Sequence, residues 1–386
     1  MGGIPFYWRL SSFYLFYFAL LGTLVPYWSL YLREDGFSSA EIGLLMAAPQ
    51  ITKLFAPNLW GWLADRTGRR MAIIRAGNLM AALVFALVFL AEGFWSMLAV
   101  LVGFSFFWNA VLAQFEVVTL ETLGQRSHRY SHVRLWGSVG FILTVVLVGL
   151  ALDYLPVTIV PWILLGTLWA IWACTMLLPK GEPRPAQESA GGLWELLRRP
   201  DVVTFLACAF LMQLSHGPYY TFYTIYLVDL GIARSVTGAL WALGVVAEVG
   251  IFLIMHHLIR RFTLSTIIIA SLLLAALRWV LIGTLADFLP VLLFAQLLHA
   301  ASFGSFHAAC ITWVHRTFTG GHAGQGQAFY SSLGFGAGWA VGASLAGVFW
   351  DELGAVTYLL ATGVALFAAG LAFVFLRGAP ADGGQG

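Results

Sequence analysis

Four ionisable side chains lie inside long apolar stretches of this 386-residue sequence. Lys53, Glu248 and Arg278 fall near the middle of such stretches. Glu116 lies off-centre in a fourth stretch, towards the end that is followed by a basic loop. Moving a charge to the centre of a bilayer costs from about 2.5 to well over 10 kcal/mol, so such residues are usually kept for function. A single mid-helix acid such as Glu248 can exchange a proton as water reaches it from either side. These residues predict a path for ions or a polar solute.

Two histidines and an aromatic residue repeat at four-residue intervals. His299, Phe303 and His307 therefore lie on one face of a helix. One histidine in an apolar helix is usually a hydrogen-bonded packing residue, but this pattern favours the wall of a cavity. Imidazole titrates near neutral pH, which makes both histidines candidate partners in proton exchange. A metal would need a third ligand, and none is evident, so we predict no metal site and no cofactor.

The elements that carry these residues are predicted to be membrane-spanning helices. The sequence is 60% hydrophobic and 10% charged, whereas a soluble domain carries roughly 25% charged residues. A span needs roughly 20 apolar residues. Twelve such stretches are predicted: 8–32, 40–64, 71–91, 94–122, 131–153, 157–178, 202–229, 235–258, 264–285, 289–314, 324–350 and 354–376.

The stretches fall into two groups of six. A Pro-, Gly- and charge-rich segment separates them, so we predict a six-helix bundle over 1–178, a cytoplasmic linker over 179–200 and a second bundle over 201–386. Within the linker, residues 193–199 are amphipathic, which fits either a helix on the membrane surface or a plain loop. The predicted fold class is an all-α membrane protein of two pseudo-symmetric bundles.

A short internal repeat supports the duplication. Tyr31, Leu32, Gly36, Gly43 and Leu45 recur at one offset as Tyr226, Leu227, Gly231, Gly238 and Leu240. The same offset places Lys53 opposite Glu248 in the two halves. Duplicated bundles of this kind hold their substrate between them near the bilayer midplane.

The basic residues predict the topology. Apart from Arg33, Arg234, Lys53 and Arg278, all of the 20 Lys and Arg residues fall near the helix ends on one side. Because cytoplasmic loops carry the excess of basic residues, both termini are predicted to be cytoplasmic, in a bacterial inner membrane.

One loop has a recognisable motif, whose defining residues are Gly61, Asp65, Arg66, Gly68, Arg69 and Arg70. It resembles the G-x-x-x-D-R-x-G-R-R gating loop of the major facilitator superfamily. Gly61 would allow close helix approach, Asp65 would cap or pair with a neighbouring helix, and the arginines would hold the loop on the anionic leaflet. The corresponding segment of the second half, 256–262, has lost the pattern.

Within that superfamily the chain most resembles the phenylpropionate permease group, which is akin to the lactose permease group of proton symporters. The resemblance rests on residues 54–57, 134–138, 241–248, 277–279 and 296–299, with Phe303 and His307. It implies that Glu116 and Arg134 contact substrate. It also implies that Glu248, Arg278 and His299 occupy the places of an acid, an arginine and a histidine that work together.

Two positions depart from the sugar permeases. Phe141 stands where they have a tryptophan that stacks on the sugar ring, and Ser302 stands where they have a proton-binding glutamate. A sugar substrate is therefore disfavoured, and Glu248 becomes the preferred coupling residue.

The residues and the resemblance together thus predict proton-coupled uptake of a small organic acid, in the first place an aromatic one, by a monomer through alternating access. Lys53 or Arg278 would hold the carboxylate, and Glu248 with the two histidines would handle the proton. The predicted substrate-contacting set is Lys53, Glu116, Arg134, Phe141, Arg278, His299, Phe303 and His307. A sugar or nucleoside symporter, an efflux antiporter and a non-transporting membrane receptor remain the alternatives. No nucleotide-binding or catalytic motif is evident in the sequence, so we do not predict an enzyme or an ATP-driven pump. No nucleic-acid partner is predicted either.

Overall fold

The computed structural model describes residues 7–178, 193–319 and 322–378, and no strand occurs among them. Long apolar segments become helices because a helix satisfies every backbone polar group within itself when no water is present. The predicted all-α class is confirmed. The predicted linker lies largely outside the described residues, and of its remaining part only a five-residue helix, α9 (Leu193–Leu197), is regular.

The described residues form two compact units, one within Met1–Gln187 and Ile232–Ala242, the other within Glu188–Gly231 and Leu243–Gly386. The first unit contains α1 (Tyr7–Glu34), α2 (Ser39–Thr52), α3 (Ala56–Thr67), α4 (Arg70–Ala86), α5 (Phe94–Trp108), α6 (Val111–Leu123), α7 (Tyr130–Leu152) and α8 (Val160–Met176). The second contains α10 (Pro200–Ser215), α11 (Gly217–Asp229), most of α12 (Arg234–Arg261), α13 (Leu264–Leu285), α14 (Leu289–His299), α15 (Ser305–Thr317), α16 (Ala323–Ser331), α17 (Trp339–Leu353) and α18 (Thr357–Phe375).

Ten helical segments of the described chain are long and apolar enough to cross a membrane. One of them, Gly324–Phe375, is 52 residues long and holds two spans, since it turns at Gly354. The interrupted pair α2 and α3 adds another. The described residues therefore account for the twelve predicted spans.

Several spans are interrupted, which the sequence analysis did not predict. The continuous helix predicted over 40–64 is wrong, because α2 ends at Thr52 and α3 begins at Ala56. Pro57 lies in the first turn of α3, where its missing N–H is tolerated, and it disfavours helix just before it. Lys53 therefore caps the end of α2, whereas Glu248 lies inside the unbroken α12.

A neighbouring helix stabilises this break. Asn109, at the interruption between α5 and α6, donates from Nδ2 to the Pro49 carbonyl at 2.8 Å and to Thr52 Oγ1 at 2.7 Å. Thr52 in turn donates to Ser105 Oγ at 3.0 Å. A carbonyl that is freed by the break thus keeps a partner, as buried backbone groups must.

Glycines bring helices into backbone contact in each unit. A Cβ on Gly140 of α7 would overlap the Leu15 carbonyl of α1, and a Cβ on Gly342 of α17 would overlap the Leu214 carbonyl of α10. Close approach through small residues is the usual means of packing helices in lipid. The two units share this device.

The start of α12 packs within the first unit. The Arg234 side chain donates to Glu34 Oε1 at 3.2 Å and to the Leu152 carbonyl at 2.9 Å, and its backbone N–H donates to Asp153 Oδ1 at 2.9 Å. A Cβ on Gly238 would come within 2.5 Å of the Val145 carbonyl. Helix α12 therefore runs from one unit into the other.

Candidate functional site

Glu116 and Arg134 form an ion pair in the first unit. Helix α6 carries Glu116 and α7 carries Arg134, and Glu116 Oε1 lies 3.9 Å from Arg134 Nε. The side chains are 36% and 31% exposed. The long separation and the exposure leave guanidinium N–H groups available to a ligand.

Aromatic rings surround this pair. The Arg134 guanidinium carbon lies 3.9 Å from the centroid of Phe18 and 5.6 Å from that of Tyr14. The Tyr130 hydroxyl donates to Glu116 Oε1 at 3.1 Å. Cation–π contacts orient the guanidinium on one face. The arrangement can hold a carboxylate or hydroxyl group next to an aromatic surface.

Two other predicted residues of the first unit lie elsewhere on its helices. Lys53 is partly buried at the break after α2. Phe141 is partly buried on α7, one turn along from Gly137, and its backbone carbonyl would lie 2.7 Å from a Cβ on Gly22.

Arg278 of α13 is fully buried in the second unit, with 0% exposure. Its Nε donates to the Ala295 carbonyl at 3.0 Å, its Nη1 donates to His299 Nδ1 at 3.0 Å, and its Nη2 donates to Gln296 Oε1 at 3.2 Å. The ring of Tyr219 lies 4.1 Å from its guanidinium carbon. A buried cation of this kind persists only with such partners.

Gln296 joins this arginine to two tyrosines. Its Oε1 accepts from Tyr219 Oη at 3.0 Å as well as from Arg278, and its Nε2 donates to Tyr223 Oη at 2.6 Å. Helices α11, α13 and α14 are thereby linked through one buried amide. The sequence analysis missed this role, although Gln296 precedes His299 by one turn, which was the available signal.

Glu248 approaches the same group from α12. Its Oε2 lies 4.0 Å from His299 Nε2, and the two side chains are 18% and 8% exposed. A Cβ on Gly304 would come within 3.0 Å of Glu248 Cγ, and a Cβ on Gly244 would come within 3.2 Å of Gln296 Oε1. The two glycines make the room in which Glu248 and His299 meet. The sequence analysis missed both.

The three residues that were predicted to share one helix face stack their rings in the structure. The rings of His299 and Phe303 are 5.1 Å apart and inclined by 6°, and those of Phe303 and His307 are 6.3 Å apart and inclined by 5°. His307 Nδ1 lies 2.9 Å from the Tyr330 hydroxyl. The stack extends across a π-helical turn at Ala300–Gly304, an irregularity that often marks functional sites.

An ion pair within the motif loop joins the end of α3 to the start of α4, and we call this contact the brace. Arg70 Nη2, at the start of α4, lies 2.7 Å from Asp65 Oδ1 at the end of α3, so the expected pairing with a neighbouring helix is present. Arg70 also donates to Gln114 Oε1 of α6. Gly68 has φ of 65°, which a glycine adopts without strain.

The other motif residues lie around this brace. A Cβ on Gly61 would come within 3.3 Å of Gln114 Nε2, and the Arg66 guanidinium carbon lies 5.3 Å from the Trp62 ring. The Arg69 N–H donates to Thr67 Oγ1 at 3.4 Å. The loop thus ties three helices of the first unit together.

Comparison with known proteins places the chain among transporters. A family model described as "MFS_1 like family" matches residues 7–361. A protein of Escherichia coli (strain K12) described as "Probable 3-phenylpropionic acid transporter" is 31% identical over 354 residues, which are 88% of this chain and 90% of the relative. The "Maltose permease" of Geobacillus stearothermophilus is 28% identical over 292 residues, which are 72% of this chain and 73% of that protein.

A solved structure shows the same fold. The crystal structure of the nucleoside transporter NupG has a TM-score of 0.82 with 17% identity, and the likeness covers 97% of this chain and 98% of that one. At this identity the likeness concerns the fold alone.

Proposed function

The chain belongs to the MFS_1 like family of the major facilitator superfamily, and from that premise we propose that it imports a small aromatic acid together with protons by alternating access. The family and the long helices make it a multi-pass membrane transporter. The coupling ion, the substrate and the direction of transport are the proposed part.

The position of Glu248 carries the proposal for coupling. It is the one acidic residue of α12, in a span that is otherwise apolar around it, and His299 Nε2 lies 4.0 Å from its carboxylate. In such a setting a carboxyl group can take up a proton from one side and release it to the other. His307 is the proposed second histidine of this route.

Two observations support an aromatic acid as substrate. The 31% identical relative carries the name of a phenylpropionic acid transporter. In the first unit, Arg134 presents a partly exposed guanidinium beside the rings of Phe18 and Tyr14. A guanidinium binds a carboxylate through paired N–H groups. Because Arg278 is fully buried, we propose Arg134 and Lys53 as the carboxylate-binding cations.

The membrane location, the oligomeric state and the role of the motif loop are also proposed. We place the protein in a bacterial inner membrane as a monomer with both termini in the cytoplasm, since the basic residues concentrate on the side that includes the motif loop. The motif loop, through Asp65 and Arg70, is proposed to restrain movement of α3, α4 and α6 during the cycle.

Uptake by proteoliposomes tests coupling and substrate together. Purified protein is reconstituted, an acid-outside pH gradient is imposed, and accumulation of radiolabelled 3-phenylpropionate is followed, with protein-free vesicles as control. We expect accumulation that collapses when a protonophore is added. Uptake that is indifferent to the pH gradient would refute symport.

A sugar substrate is the second candidate. The carboxylate of Glu116 beside Arg134 suits hydroxyl groups as donors and acceptors, and a maltose permease is 28% identical. Thermal stabilisation by aromatic acids, maltose and nucleosides separates the candidates. Stabilisation by maltose alone would replace the aromatic acid in the proposal.

A further inference from the structure

We propose that Gln296 is a positioning residue that locks Arg278 onto His299 and so fixes His299 in the neutral tautomer whose Nε2–H faces Glu248. The proposal rests on the proposed function and deepens it, because it assigns which nitrogen of His299 faces the coupling acid. The tautomer itself follows from hydrogen-bond geometry alone.

The tautomer follows from what arginine can do. A guanidinium has N–H donors and no acceptor, so the 3.0 Å contact from Arg278 Nη1 requires a lone pair on His299 Nδ1. The proton of the neutral ring must then be on Nε2. That nitrogen lies 4.0 Å from Glu248 Oε2. While Arg278 holds Nδ1, His299 can donate to Glu248 but cannot itself accept a second proton.

Gln296 fixes the arginine. The guanidinium could turn about its long side chain, yet Gln296 Oε1 accepts from Nη2 while the Ala295 carbonyl accepts from Nε. Gln296 Oε1 must face Arg278, because a guanidinium has only donors and an amide nitrogen cannot accept from it. The tyrosine hydroxyls complete the arrangement, since Tyr219 donates to Oε1 and Tyr223 accepts from Nε2. Gln296 thus holds the arginine in place, and the arginine selects the tautomer.

The surroundings of His299 are charged or titratable on three sides. Arg278 approaches from α13 and Glu248 from α12, while Tyr219 and His216 approach from α11 and the turn before it, with ring centroids 6.0 and 6.3 Å away. His216 Nδ1 lies 2.8 Å from the Met212 carbonyl, which can only accept. His216 therefore has the opposite tautomer, with its proton on Nδ1.

This assignment gives Arg278, His299 and Glu248 different roles in the second unit. Arg278 acts through His299 and is not a substrate ligand, and His299 faces the carboxylate of Glu248 with an N–H group at 4.0 Å. The proton that moves is then carried by Glu248. These roles depend on the proposed proton coupling, whereas the tautomer of His299 does not.

Nitrogen-15 NMR of histidine-labelled protein in lipid bilayers at neutral pH tests the proposal. The signals of His299 and His216 are assigned from their loss in His299→Gln and His216→Asn. We expect His299 to be protonated on Nε2 alone and His216 on Nδ1 alone, so each serves as reference for the other. Protonation of His299 on Nδ1, in either the neutral or the cationic form, would overturn the tautomer.

The role of Gln296 is tested by Gln296→Leu, which removes both hydrogen-bonding groups and keeps similar bulk. We expect the single His299 tautomer to be lost. The matched control is Gln213→Leu, a second buried glutamine of the same unit whose Oε1 has no hydrogen-bond partner among the described residues, and it should leave the signal unchanged.

Tyr223→Phe is the milder second variant, should Gln296→Leu fail to fold. It removes the acceptor of Gln296 Nε2 while keeping the ring, and it should shift the His299 signals partway. An unchanged signal in both variants would overturn the role of Gln296. The spectra need no substrate, so this failure and a failed pH-gradient assay are distinguishable.

Discussion

The charged groups of the two units differ in exposure and in the partners that hold them. In the first unit Glu116 and Arg134 are about one-third exposed and 3.9 Å apart. In the second unit Arg278 is fully buried and hydrogen-bonded to Ala295, Gln296 and His299. An exposed pair with a long separation contributes little to stability, whereas a buried cation must be fully paired.

This difference supports different proposed tasks for the two regions. The first-unit pair is partly exposed and widely separated, so its hydrogen-bonding groups are accessible to a ligand. In the second-unit cluster the hydrogen bonds of Arg278 go to buried neighbours. Glu248 lies at the edge of this cluster and is 18% exposed. We therefore propose that the first unit contributes most of the substrate binding and that the second contributes the proton coupling.

Removing Arg134 should have the largest effect on binding. In Arg134→Ala a hydrogen bond to a charged group is lost, which costs about 1.5–3 kcal/mol and weakens binding of an aromatic acid roughly tenfold to a hundredfold. Titration calorimetry measures it. The control is Arg129→Ala, an exposed arginine just before α7. An equal loss in the control would mean that only net charge matters.

The shared glycine contacts should respond alike in the two units. Gly140→Ala and Gly342→Ala each push a methyl group into a carbonyl of the facing helix. Each should therefore lower the free energy of unfolding by about 1–3 kcal/mol, which is measured as a lower melting temperature in detergent. Gly166→Ala and Gly363→Ala have no neighbour within 4 Å and should be neutral or stabilising. A loss confined to one unit would contradict the packing similarity.

Crowding Glu248 should have a smaller effect, confined to coupling. In Gly304→Ala the new methyl group lies 3.0 Å from Glu248 Cγ and 2.8 Å from Ile251 Cγ2. Strain of about 1 kcal/mol corresponds to a roughly fivefold lower initial rate of proton-driven uptake, with substrate affinity retained. Gly250→Ala, on α12 with open space around it, is the control. Loss of affinity in Gly304→Ala would place substrate against this cluster.

The sequence predicted the parts that depend on composition and local spacing. Apolar runs predicted the spans, and four-residue spacing predicted the shared helix face on which the rings of His299, Phe303 and His307 stack. The motif predicted that Asp65 caps or pairs with a neighbouring helix, and the pairing is observed. Each of these is written within one short segment. The family is confirmed by the match over residues 7–361.

The rest depends on which helices meet. No local pattern shows that Gln296 contacts Tyr219 and Tyr223, because the partners are 77 and 73 residues away. The break after α2 was missed since apolar composition continues across Lys53, although Pro57 was a signal. The mid-span position of Arg278 was predicted, whereas its full burial was not, because its hydrogen-bond partners come from another helix.

Glu248→Gln tests the division of labour most directly. The variant keeps the shape of the side chain and can still face His299 Nε2–H, but it cannot gain or lose a proton. Proteoliposomes are used to measure two quantities: exchange of labelled for unlabelled 3-phenylpropionate at equal concentrations, and accumulation against a gradient under an imposed pH difference. We predict that exchange persists while accumulation is abolished. Normal accumulation by Glu248→Gln would contradict the account, because the coupling proton would then be carried elsewhere.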